Sequence, residues 1–168
     1  ESEPEPESEP EPESEPEMEF DPLGYHDVAG ITIEATNIYD SIVEVQIWSR
    51  GVNIAASSNG GTATHLGSET NSTPENAIDE QWREPGELYA KDNIQVNLLV
   101  ELAQPINYRE IETIIIYPYV YGSRDSPITE NNLSNSTFSI ISRYGGKLTT
   151  INIGDHDARV IKFDFEIK

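Results

Sequence analysis

The chain has 168 residues, 31 acidic and 10 basic, which gives a formal charge of −21. Its Lys and Arg residues are scattered, which excludes nucleic acid and argues against anionic membrane surfaces, since both recruit clustered positive charge. Cysteine is absent, so disulfides, cysteine nucleophiles and zinc–cysteine sites are excluded, and no apolar stretch approaches the roughly 18 residues that read as a membrane-spanning helix.

The first eighteen residues are one phrase said three times. Glu1–Pro6 reads Glu-Ser-Glu-Pro-Glu-Pro, Glu7–Pro12 repeats it, and Glu13–Met18 repeats it with Met18 in place of the last proline. Proline fixes φ and the glutamates repel one another, so the tract favours extended polyproline II. At about 3.1 Å per residue it reaches roughly 55 Å. It reads as a solvated spacer or as a segment that docks on a basic partner surface. From Glu1 to Asp21 there are 11 acidic residues and no basic ones, which leaves 20 acidic against 10 basic in the remainder. Apolar content returns at Phe20, Leu23 and Tyr25. The expected division is an acidic tether over 1–26 and one domain over 27–168, a length that suits a single core.

Beyond the tether, short β-rich runs are punctuated by Pro, Gly and Asn. Ile31-Thr-Ile-Glu-Ala alternates. In Ser41–Trp48 the alternation puts Val43, Val45 and Ile47 on one face and Ile42, Glu44, Gln46 and Trp48 on the other. Further runs are Asn93–Leu102, Ile111–Tyr117, Phe138–Ser142, Leu148–Ile153 and Arg159–Ile167. Gly145-Gly146 and Gly154-Asp155 carry hairpin-turn chemistry. The pattern predicts an all-β jelly-roll sandwich of about eight strands. Two long connections, Ala55–Trp82 and Pro118–Ser136, are rich in Ser, Thr, Asn and Gly. Loops of that length without helical periodicity are functional or disordered, and their short polar side chains suit a polyhydroxylated ligand.

Catalytic motifs are missing. His26, His65 and His156 lie far apart, Ser57-Ser58 lacks the setting of a nucleophile elbow, and Asp155-His156-Asp157 sits at a predicted turn. The expectation is a protein without enzyme activity. Three sequons, at Asn71, Asn132 and Asn135, bear on function only in a secreted chain.

The order of several segments resembles the discoidin-like family, which includes coagulation factor V/VIII type C domains and fucose-binding lectins. These segments are Ser41-Ile-Val-Glu-Val-Gln-Ile-Trp, Gly51-Val-Asn-Ile-Ala, Asn76-Ala-Ile-Asp79, Asp92-Asn-Ile-Gln-Val-Asn-Leu and Ile106-Asn-Tyr-Arg-Glu-Ile-Glu-Thr-Ile-Ile-Ile-Tyr. The resemblance covers about 31–124. It implies a galactose-binding-like sandwich that recognises glycans or surfaces, with binding loops at one end and often a structural calcium. The implied calcium ligands are the Asn76 carbonyl, the Asp79 carboxylate, the Gln81 side chain and Glu44, an oxygen set that suits the ion. Glu80 stands where the family pattern has glycine, and Gln81 where it has a shorter asparagine. His65 and Arg124 match the His and one of the two Arg that fucose-binding members place around the sugar. The second Arg and the family's paired cysteines have no equivalent. Trp82, Tyr89, Tyr117, Tyr119 and Tyr121 offer aromatic faces for sugar stacking or for packing.

Three readings of function follow. One is a carbohydrate- or surface-binding module displayed on an acidic stalk, extracellular or on a virion surface, with a glycan or glycoprotein as partner. Another is a virion assembly protein that contacts capsid proteins. The segment order also resembles discoidin-like domains encoded by large algal DNA viruses, and Tyr117-Pro-Tyr-Val-Tyr would then be an interface. A third is an accessory module from a longer enzyme or adhesin, suggested by the absent initiator Met.

Overall fold

The computed structural model describes residues 26–35, 41–68, 73–81, 89, 95–119, 133, 136–153 and 160–165; the predicted tether, all but its last residue, lies outside them. The described strands are β1 (Asp27–Glu34), β2 (Ile42–Ser49), β3 (Val52–Asn53), β4 (Thr62–His65), β5 (Asn97–Asn107), β6 (Thr113–Pro118), β7 (Thr137–Ser142), β8 (Lys147–Asn152) and β9 (Ile161–Asp164). They form two antiparallel sheets, ordered β4-β5-β1-β7-β8 and β3-β2-β6-β9. The molecule is an all-β sandwich, as the alternation predicted.

The core lies between the sheets. In the five-stranded sheet Ile31 stands between Val100 and Ile140, and Ile33 between Leu98 and Phe138. In the four-stranded sheet Val45 pairs with Ile116, which pairs with Ile161, while Ile47 pairs with Ile114. All are buried in one apolar cluster. The rings of Phe138 and Phe163 meet across it with centroids 4.8 Å apart. Burying each such side chain contributes roughly 1.5–3 kcal/mol.

The strand directions give the sandwich two unlike poles. Strands β1, β4, β6 and β8 end at one pole, where β2, β5, β7 and β9 begin. Its connections therefore span 35–41, 66–96, 119–136 and 153–160. The opposite pole is crossed by short segments: the Arg50-Gly51 turn, 54–61, 108–112 and 143–146. Residue 26, where the described chain enters β1, and Phe165, which follows β9, lie at this short-turn pole.

The structure revises several local expectations. The predicted loop from Ala55 contains β4, whose Thr-Ala-Thr-His run is too short to read as a strand without its partner β5. A bulge between Ile42 and Glu44 interrupts the alternation of β2. It places Ile42 in the core cluster beside Val45 and Ile47, and leaves Val43 out of that cluster. The Gly145-Gly146 turn does join β7 to β8, with Gly145 at φ 84°. Gly154-Asp155 lies outside the described residues. It does not close a hairpin, because β8 and β9 are in different sheets.

A wide bulge marks the meeting of β1 and β5. Val28 pairs with Ile106 and Gly30 with Glu101, so the four residues 102–105 of β5 stand against Ala29 alone. Pro105, which cannot donate to a ladder, falls within it. The backbones crowd here: a Cβ on Gly30 would lie 2.0 Å from the Val100 carbonyl oxygen. The variant Gly30→Ala should therefore lose about 3 kcal/mol of stability, read as a lowered urea midpoint with an unchanged m-value.

Candidate functional site

The most unusual group in the described structure is Glu44. It stands on β2 between Val43 and Val45, and the side chain is fully buried (0 % exposed). One carboxylate oxygen, Oε1, accepts the Glu80 N–H at 3.2 Å. The other, Oε2, is buried with no hydrogen-bond partner. Burial first, and then the nearby Asp79 carboxylate, push its pKa from the ordinary 4.5 up to about 8; the backbone N–H groups of Glu80 and Asp79 pull the other way.

The segment that closes over Glu44 is built from a single-turn 3-10 helix, Pro74–Ala77, whose proline occupies the first turn where its missing N–H costs nothing. Ala77 and Ile78 are buried in the core cluster and anchor the turn. The Ile78 carbonyl accepts the Ser57 N–H at 3.0 Å. Asp79 then folds back on itself, with Oδ1 accepting the Gln81 N–H at 2.9 Å. Glu80 adopts φ 65°, the left-handed conformation that glycine takes without strain, and its carboxylate accepts the Ser58 hydroxyl at 2.6 Å. The tight turn is thus made with a glutamate, held by a side-chain contact that glycine could not offer.

Of the predicted calcium ligands, Glu44 and Asp79 are brought together, close enough for their charges to couple. The Asn76 amide group donates to Thr73 Oγ1 at 3.0 Å, which leaves its backbone carbonyl as the implied ligand. Gln81 is exposed and joins through its backbone N–H. Among the described residues no three His, Cys, Asp or Glu side chains converge as a metal cage. The local arrangement is two carboxylates with Glu80 beside them. Among the charged groups that act on Glu44, none is cationic.

The predicted ligand-binding residues fare unevenly. His65, Tyr117 and Tyr119 all lie toward the pole of the long connections, at the ends of β4 and β6. His65 is half-buried and its Nδ1 is hydrogen-bonded to the Tyr89 hydroxyl at 2.5 Å. Tyr117 is half-buried and stands opposite Glu44 in the ladder. The Tyr119 N–H donates to the Ser41 carbonyl at 3.0 Å. Trp82, Tyr121 and Arg124 lie outside the described residues.

Tyr89 is fully buried, and it ties the two sheets together. Its backbone pairs with Ile42 of β2 in both directions, at 3.1 and 3.2 Å. Its hydroxyl accepts the Asn97 N–H of β5 at 3.1 Å and reaches His65 of β4. One side chain therefore fastens the 66–96 connection to both layers and is taken up by packing, not by ligand stacking.

No protein-family model, characterised protein or solved structure matches the chain.

The raised Glu44 pKa fixes the sign of a pH effect. Below 4.5 both folded and unfolded chains hold this proton. Above it the unfolded chain releases the proton and the folded chain keeps it up to about 8. Stability therefore falls across that window and the loss is complete above it. In EDTA, Glu44→Gln, which keeps the acceptor for the Glu80 N–H and removes the ionisation, should melt progressively above the parent between pH 5 and pH 8. The gap should reach about 5 °C or more.

Proposed function

We propose that the protein is a non-catalytic recognition module for glycans or glycoprotein surfaces, presented on an acidic stalk. The observation that carries this reading is the polarity of the sandwich. The two longest connections, 66–96 and 119–136, both cross one pole, while the chain enters β1 from the other. A stalk joined there directs the long connections away from its own anchor. Those connections are rich in Ser, Thr and Asn, side chains with the donors and acceptors to match sugar hydroxyls. His65, Tyr117 and Tyr119 stand at their roots.

Calcium is the cation that this chemistry suits. The orphaned, buried Oε2 of Glu44 and the adjacent Asp79 carboxylate form a concentration of negative charge without a compensating base. Glu44, Asp79 and the Asn76 carbonyl would hold the ion, with hard oxygen donors and waters filling the remaining positions. The ion would remove the mutual repulsion of the carboxylates and fix the 66–96 connection against β2.

Two measurements test the reading. Calcium at about a hundred times its Kd should raise stability by about 2.7 kcal/mol, seen in a thermal melt against EDTA, and the combined Glu44→Gln and Asp79→Asn variant should not respond. An identical melt of the parent in calcium and EDTA would remove the ion from the proposal. On a glycan array the full chain should retain a defined set of sugars. The absence of any hit, with and without calcium, would count against glycan recognition itself.

A further inference from the structure

The outer edge of the five-stranded sheet is formed by β8, whose one charge, Lys147, stands at its start and is paired with Glu34 at 3.1 Å; the rest of the strand lacks the protection of the other described edges. Among those, β3 has two residues, β4 has four, and β9 carries Lys162 and Asp164. Short length and charge are the usual defences against edge-to-edge pairing. Over 148–152, β8 reads Leu-Thr-Thr-Ile-Asn: no charge, no proline, and three β-branched residues in succession. In a chain of net charge −21 this neutral run is where two copies can approach without apposing carboxylates.

The backbone of β8 is prepared for a partner. The Ile153 N–H donates to the Ser136 carbonyl at 2.9 Å, and the ladder runs from Thr137 opposite Asn152 to Ile140 opposite Thr149. Hydrogen-bonded and non-bonded pairs alternate in an antiparallel ladder. Ile151 and Thr149 therefore point their backbone groups at β7, and Thr150 and Asn152 point theirs outward. The Ser139 and Thr150 hydroxyls lie 2.8 Å apart, as the close side chains of a non-bonded pair require. The edge also leaves apolar surface incompletely covered: Leu148 is 36 % exposed, and Ile151 packs on the core cluster while still half-buried.

We infer that β8 pairs with β8 of a second copy of this chain, antiparallel about a two-fold axis at Thr150, to give a continuous ten-stranded sheet across the dimer. In this register Thr150 faces its own counterpart, Thr149 faces Ile151 of the partner subunit, and Leu148 faces Asn152 of the partner subunit. The outward backbone groups of Thr150 and Asn152 then find partners, and Ile151 is covered by a β-branched neighbour. The arrangement is self-complementary and closed, because the other described edges are short or charged; a dimer follows, and not a fibre. Five paired residues a side bury less than a standard interface, so the association is weak, with Kd on the order of 10–100 µM. Two chains of this charge repel, so screening by salt strengthens the dimer.

Sedimentation velocity on the full chain over a concentration series reads this directly. The weight-average mass should rise from monomer toward dimer, earlier at high salt than at low. Thr150→Pro removes one outward N–H and leaves the β7 ladder intact, and Thr150→Lys adds a charge at the axis. Each should weaken association at least about tenfold; the lysine variant keeps the test valid if the proline variant fails to fold. A chain that stays monomeric to about 1 mM in high salt, or a dimer that both variants form as readily as the parent, overturns the inference. A parent that stays monomeric until an unrelated strand-forming peptide is added, and then binds it through β8, also overturns it.

Discussion

The apolar seam between the two sheets is the constraint on which everything else rests. Ile31, Ile33, Leu98, Val100, Phe138 and Ile140 from one layer meet Val45, Ile47, Ile114, Ile116 and Ile161 from the other. Because these residues alternate with outward-facing ones, a slip of one position in any strand would expose its whole set. The seam therefore fixes register, and register fixes where each strand ends. The separation of long and short connections onto opposite poles follows from strand direction and from the lengths of the intervening sequence.

Two devices join the seam to the 66–96 connection. Tyr89 pairs through its backbone with β2 and through its hydroxyl with β4 and β5, so it closes the layers on one side. The turn after Pro74–Ala77 buries Ala77 and Ile78 and sets Asp79 and Glu80 against Glu44. The first device is satisfied within the chain. The second leaves a carboxylate oxygen buried and unpaired, a cost that an apolar side chain at this position would not carry. That contrast is the physical reason to look for a cation at Glu44 and not at His65, whose Nδ1 is engaged by Tyr89.

The sequence made the sandwich legible through period-two alternation in β1 and β2 and through short β-rich runs bounded by turn residues at β5, β6, β7, β8 and β9. It did not reveal β4, because four residues of Thr, Ala and His carry no pattern without the partner strand. It misplaced Val43, because a bulge is a pairing event and leaves no local signature. At the candidate site, Asn76, Asp79 and Glu44 are singled out by the family resemblance alone; alternation sets Glu44 on the face opposite Val43 and Val45, where a carboxylate is ordinary. The coupling of Glu44 to Asp79 joins positions far apart in the chain, which only the fold could bring together. Tyr89 read as one of several candidate aromatics, since nothing in its neighbours tells a buried brace from an exposed platform.

Charge placement links the tether to the edge of the sheet. Eleven of the 31 acidic residues lie in Glu1–Asp21, ahead of the domain. Placing that charge ahead of the described strands keeps it out of their sequence, where it would oppose strand pairing by self-repulsion. The sandwich keeps a strand with a neutral run, 148–152 of β8, at its rim; the net charge of −21 supplies repulsion at long range, and in the proposed dimer the rim supplies pairing at short range. Repulsion screened over roughly 8–10 Å near physiological salt does not prevent two rims from meeting once they are aligned. It does penalise encounters that bring carboxylates together first. In the proposed dimer, a strongly acidic chain with a neutral run at its sheet edge thus favours one mode of self-contact over the many that a sticky surface would allow.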